Sequence, residues 1–124
     1  MKPIVLITAT NDAVRRDVCD VLARHDYEAV VASDETEALA LLRDHRRIGV
    51  IVADIKLGGL TLAREARAIR PNLGVVYTAA APHRVAETAK VSGAPILRKP
   101  YAAQQLVGVI RGLGRRVLDD ALAA

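Results

Sequence analysis

Short apolar runs alternate with segments of helical periodicity five times along this chain of 124 residues. The apolar runs predict strands at about residues 3–8, 27–32, 48–53, 73–78 and 94–97. The third run is apolar throughout, as expected for a parallel strand that is covered on both faces. Five such strand–helix units predict one α/β domain, a doubly wound parallel sheet with helices on both faces.

Five helices are predicted between and after these strands. Asn11 or Asp12 is suited to cap the first helix and Asp34 the second, because short polar side chains accept hydrogen bonds from the first helical turn. The fourth predicted helix is weak and covers about residues 82–91. The last one begins after Pro100 and continues towards the end of the chain.

Hydropathy, cysteine content and charge narrow the classes of protein. Hydrophobic residues make up 52% of the chain, and yet no apolar stretch reaches the roughly 18 residues that suggest a membrane span. Cys19 is the single cysteine, so no internal disulfide can form, and a cytoplasmic protein is predicted. The net charge of +4 is too small to predict nucleic-acid binding, and a basic adaptor that touches nucleic acid is only a weak alternative.

Polar side chains follow three of the apolar runs, at the point where each run ends. Asp54 follows the third run, Thr78 ends the fourth and Lys99 comes shortly after the fifth. Because parallel strands place their carboxyl ends at one edge of the sheet, these side chains are expected to lie together, where α/β proteins bind ligands. The sequence has no Ser-His-Asp arrangement, HExxH motif or Gly-rich phosphate loop, so an independent enzyme is not expected.

This ordered set resembles the receiver domain of bacterial response regulators, over essentially the whole chain. The phrases that carry the resemblance are Val14-Arg15, Asp26-Tyr27-Glu28-Ala29-Val30, Glu37-Ala38-Leu39-Ala40-Leu41-Leu42, Asp54-Ile55-Lys56-Leu57 and Leu97-Arg98-Lys99-Pro100-Tyr101. The resemblance implies a flavodoxin-like sheet of strand order 2-1-3-4-5 with five helices. It also implies a receiver-like domain over residues 1–124 without an output domain, which would act in a two-component phosphorelay.

The resemblance also implies a role for each strand-end residue. Asp54 would accept a phosphoryl group from a histidine kinase or a phosphotransfer protein. Thr78 and Lys99 would contact the phosphoryl oxygens and relay their arrival to the surface of helix four, strand five and helix five. Signalling would then proceed by protein contact, from either a stand-alone receiver or a fragment of a longer protein.

The family's metal-binding pattern is incomplete in this chain. The family holds Mg²⁺ with a pair of acids after strand one, and those positions are Ala9 and Thr10 here. The remaining ligands are Asp54, Asp12 and the backbone carbonyl near Lys56, and Mg²⁺ prefers a richer set of hard oxygen ligands. Mg²⁺ binding is therefore expected to be weak or absent, which marks the chain as an atypical receiver.

Two hypotheses follow from these residues. In the first, Asp54 is a phosphoacceptor and the chain is an atypical receiver. In the second, Asp54 and Lys99 neutralise each other permanently, and the chain is a pseudo-receiver that acts as a protein-binding adaptor without phosphorylation. The second hypothesis is favoured because Ala9 and Thr10 stand where the family has acids. The first hypothesis is favoured by the order of Asp54, Thr78 and Lys99.

The last helix is predicted to contact a partner. Its apolar residues extend beyond a single stripe, which suggests a surface for a downstream protein or a homodimer. The predicted contact residues are Tyr101, Leu106, Val107, Val109 and Ile110.

Overall fold

Five parallel strands form one sheet of order β2-β1-β3-β4-β5. The computed structural model describes residues 2–123, and it describes side chains for residues 2–113. The strands are β1 (Ile4–Thr8), β2 (Glu28–Ala32), β3 (Ile48–Asp54), β4 (Gly74–Ala79) and β5 (Ile96–Arg98). The helices are α1 (Asp12–Arg24), α2 (Glu35–Asp44), α3 (Gly59–Ile69) and α4 (Ala103–Ala123). The predicted doubly wound sheet and its strand order are confirmed.

The prediction of a helix over residues 82–91 is wrong, and residues 2–123 contain four α-helices instead of five. Two single turns of 3₁₀ helix, Pro82–Arg84 and Glu87–Ala89, connect β4 to β5. Val85 and Ala86 lie between them in extended backbone conformations. A helix this short is stabilised mainly by burying an apolar face, and the small side chains of this segment bury little area.

The sheet separates two hydrophobic cores. Ile51 of β3 lies on the face that α2 and α3 cover, and Val52 lies on the face that α1 and α4 cover. Both side chains are almost completely buried. Successive strand residues point to opposite faces, so a strand that is apolar throughout contributes to both cores. This explains why β3, at the centre of the sheet, is buried at six of its seven residues.

Polar side chains fix the starts of the first two helices as predicted. The side chain of Asn11 accepts hydrogen bonds from the backbone N–H groups of Ala13 and Val14. Asp34 accepts one from the N–H of Glu37 at 2.8 Å. These bonds satisfy donors that have no partner inside the helix.

None of the helices in residues 2–123 is at once long enough and apolar enough to cross a lipid bilayer.

Candidate functional site

The parallel sheet brings Asp54, Thr78 and Lys99 to one edge, as the strand-end pattern predicts. Asp54 is the last residue of β3 and lies in register with Thr78 on β4. Lys99 follows β5, and its backbone N–H donates to the carbonyl of Ala79 at 2.8 Å. Residues that are 21 to 45 positions apart in sequence therefore share the carboxyl end of the sheet.

Both carboxylate oxygens of Asp54 have partners. Oδ2 lies 2.5 Å from Nζ of Lys99, and Oδ1 accepts a hydrogen bond from the N–H of Lys56 at 2.8 Å. The side chain of Asp54 is 11% exposed and that of Lys99 is 34% exposed. A carboxylate this buried requires a counter-charge and hydrogen bonds, and it receives both here.

Thr8 is a site residue that the sequence analysis missed. Its hydroxyl donates to the carbonyl of Val52 at 3.1 Å and accepts a hydrogen bond from the backbone N–H of Asp54 at 3.0 Å. Thr8 is 5% exposed, so these bonds satisfy polar groups in the interior. The signal in the sequence is that Thr8 closes an apolar run just as Thr78 does.

The loop after Asp54 is short, and two glycines close it. Gly58 has a φ of 77°, in the left-handed region that favours glycine. A Cβ atom on Gly59 would lie 2.6 Å from the carbonyl oxygen of Asp54. Helix α3 therefore begins directly against the backbone of Asp54.

A cleft of about 560 Å³ opens beside the Asp54–Lys99 pair. Thr78, Thr10 and Tyr101 contribute to its walls. Thr78 is 3% exposed. Burial raises the pKa of the Tyr101 phenol, and the negative charge of Asp54 raises this pKa further. The phenol is therefore neutral near pH 7.

Solved structures share this architecture over nearly their whole length. A response regulator receiver domain protein (CheY-like) from Methanospirillum hungatei JF-1 aligns with a TM-score of 0.83 and 18% identity, covering 97% of this chain and 99% of that one. A response regulator receiver domain protein from Clostridium thermocellum aligns with a TM-score of 0.77 and 25% identity, covering 95% and 98%. The chain has the fold of a response regulator receiver domain.

Relatives found by sequence agree with this fold. Response regulator MprA of Mycobacterium sp. (strain KMS) and that of Mycobacterium sp. (strain JLS) are each 28% identical over 123 residues. The alignment covers 94% of this chain and 52% of each relative. The chain thus spans about half the length of the curated relatives it matches. No protein-family model matches the sequence.

The donor set at the Asp54 site does not fit Mg²⁺. Ala9 offers no side-chain ligand, and the carboxamide oxygen of Asn11 already caps α1. The Asp12 side chain is 78% exposed and lies 3.5 Å from Arg15, on the first turn of α1. Within the part of the chain that the structure describes, no three His, Cys, Asp or Glu residues are grouped to hold a metal ion. Asp54 is left as a single carboxylate with both oxygens engaged.

Three of the five predicted partner-contact residues are not on the surface. Leu106, Val107 and Ile110 are at most 3% exposed and pack into the core between α4 and the sheet. The prediction that they contact a partner is therefore wrong for the folded monomer. Tyr101 and Val109 are half-buried and pack at the margin of the same core. A helix on a sheet buries a stripe wider than one residue, so neighbouring apolar positions both face inward.

Proposed function

We propose that this receiver domain signals by protein contact in a two-component pathway, with Asp54 and Lys99 held as a constant pair. Phosphorylation is not required in this proposal. The carrying observation is that the site contains one carboxylate and one ammonium in contact, with Ala9 and Thr10 at the positions where acids would bind a metal. The site is close to neutral without any ion.

The charge balance explains why this arrangement disfavours phosphoryl transfer. A transferring phosphoryl group spreads negative charge over three oxygens, and catalysis depends on neutralising that charge. Lys99 supplies a single positive charge, and the carboxylate of Asp54 already accepts it. A site without a bound divalent cation lacks most of the required neutralisation.

The geometry also supports a constant state. The backbone N–H of Asp54 donates a hydrogen bond to the Thr8 hydroxyl, and Oδ1 of Asp54 accepts one from the N–H of Lys56, in addition to the contact with the ammonium of Lys99. Breaking a pair this buried leaves an uncompensated charge, which is strongly unfavourable. The partner in this proposal is a signalling protein, either a histidine kinase, a phosphotransfer protein or a downstream target, that recognises the fixed surface of the domain.

A second candidate function is phosphoacceptance at Asp54. The observation that favours it is the position of Thr78, which lies in register with Asp54 and borders the same cleft as Asp54 and Lys99. Together with Lys99 it offers a donor and a cation to an incoming phosphoryl group.

One experiment separates the two functions. The purified chain is incubated with acetyl phosphate and Mg²⁺, and intact mass is measured for the wild type and for the variant Ala9→Asp/Thr10→Asp. We expect no phosphoryl adduct on the wild type. The double variant restores the acids, so a Mg²⁺-dependent adduct is expected there, and it should vanish when Asp54→Asn is added. A stoichiometric adduct on Asp54 of the wild type would overturn the proposal in favour of phosphoacceptance.

A further inference from the structure

A second cleft of about 490 Å³ lies on the other side of the Asp54–Lys99 pair. It separates the start of α3 from the segment that connects β4 to β5. Small apolar side chains form most of its wall: Ala79, Ala81, Val85, Ala86, Ala89 and Leu60. We call it the alanine cleft.

The alanine cleft exists because no α-helix covers this part of the sheet. The segment with the two 3₁₀ turns, Pro82–Arg84 and Glu87–Ala89, lines it instead, through Arg84, Val85, Ala86 and Ala89. Alanine side chains are too small to fill that space. The volume lies within the range of about 300–1,000 Å³ that is typical of small-molecule sites, which are likewise apolar with a few polar groups.

The rim of the alanine cleft is positively charged. Lys56, Arg84 and Lys99 border it, and Asp54 is the one acid in its wall. Lys99 is paired with Asp54, whereas Lys56 and Arg84 form no ion pair with any described residue. Two positive charges are therefore left uncompensated around an apolar space, which complements a ligand with an apolar body and an anionic group.

We propose that the alanine cleft binds a small amphipathic organic acid. The apolar body lies against Ala81, Val85 and Ala89, and the carboxylate faces Arg84 and Lys56. This site requires neither a metal ion nor phosphorylation, so it goes beyond the proposed function. Because Asp54 and Lys99 form one wall of the cleft, the bound carboxylate also changes the electrostatic potential at that pair.

The test uses octanoate as the probe, with 1-octanol and octylamine as charge controls of matched length. Backbone amide chemical shifts of the purified chain are followed during each titration, below the concentration at which the probe forms micelles. We expect saturable shifts at Ala81, Val85, Ala86 and Ala89 with octanoate. Octylamine should bind at least about tenfold more weakly, since it meets an unfavourable potential.

Two variants locate the site. Arg84→Gln should weaken octanoate binding about fivefold, the size of a partly exposed ion pair, and should leave 1-octanol binding unchanged. Arg64→Gln is the matched control, because Arg64 is an exposed arginine on α3 that does not border the cleft. Ala86→Leu and Ala89→Leu each narrow the cleft and should weaken both probes. Thermal unfolding of these variants verifies that they fold.

Several outcomes would overturn the proposal. Equal affinity for octanoate and octylamine would remove the electrostatic argument. Shifts confined to Thr10, Val14 and Tyr101 would place the probe in the cleft on the other side of the pair. Shifts of the alanine-cleft amides that depend on protein concentration without any probe would show that a second copy of the chain covers this surface.

Discussion

The hydroxyl of Thr8 accepts a hydrogen bond from the backbone N–H of Asp54, 46 residues later in the chain. The same hydroxyl donates to the carbonyl of Val52, so one side chain joins the end of β1 to the end of β3. Thr8→Val keeps the shape and removes both bonds. We expect the free energy of unfolding to fall by about 1–3 kcal/mol, because a buried backbone N–H loses its partner. Urea unfolding measures the loss.

Thr8→Ser is the control for that substitution, because it retains the hydroxyl and deletes one methyl group. Its cost should be about 1 kcal/mol, the value for a buried methylene-sized group. A valine variant as stable as the wild type, beside a destabilised serine variant, would show that packing, and not hydrogen bonding, is the contribution of Thr8.

The Asp54–Lys99 pair provides a second prediction. Lys99→Met leaves the carboxylate of Asp54 without its counter-charge, and we expect a loss of about 1–3 kcal/mol, below the full value for a buried pair since Lys99 is partly exposed. Asp54→Asn/Lys99→Met removes both charges and should recover part of this loss. A double-mutant cycle by urea unfolding should give a coupling energy of about 1–2 kcal/mol. Additive single losses would contradict a constant pair.

Gly59 leads to a third prediction, on the loop after Asp54. A Cβ atom at this position meets the carbonyl oxygen of Asp54 at 2.6 Å, so the backbone must move. Gly59→Ala should lower the free energy of unfolding by about 1–3 kcal/mol, as overpacking does. Gly49→Ala is the matched control, because a Cβ there meets no atom within 4 Å. Its free energy of unfolding should be unchanged or slightly higher. A tolerated alanine at residue 59 would show that α3 can shift away from Asp54.

Much of the sheet could be predicted from the sequence because its signals are local and repeated. The buried run of β3 and the position of Asp54 at its end follow from hydrophobic patterning alone. The segment 82–91 was predicted wrongly because its periodicity is too weak to decide between a helix and turns. There the outcome depends on how much area the small side chains bury, which only the packed structure shows.

Part of the candidate site could also be predicted from the sequence. Strand-end placement puts Asp54, Thr78 and Lys99 together, since parallel strands end at one edge. Thr8 was missed because a threonine that closes a strand gives no sign of which backbone groups it satisfies. A partner surface is predicted because Val107 lies off the stripe that contains Leu106, and consecutive residues on a helix differ in direction by about 100°. The sheet covered by α4 is broad enough to bury both.

The last prediction concerns the pH dependence at Tyr101. Burial raises the pKa of this phenol above its ordinary value of 10.0, and the charge of Asp54 raises the pKa further. A raised pKa in the folded state means that the native protein holds its proton where the unfolded chain releases it. The contribution of the protonated Tyr101 phenol to the stability of the fold is therefore fully present below pH 10.0 and is lost as the pH rises through the pKa of the folded state.

Asp54→Asn should lower the pKa of Tyr101 without returning it to the ordinary value, because burial remains. The phenolate ultraviolet absorbance, with the Tyr101→Phe spectrum subtracted, measures this pKa. An unchanged pKa in Asp54→Asn would contradict an electrostatic contact between the two side chains.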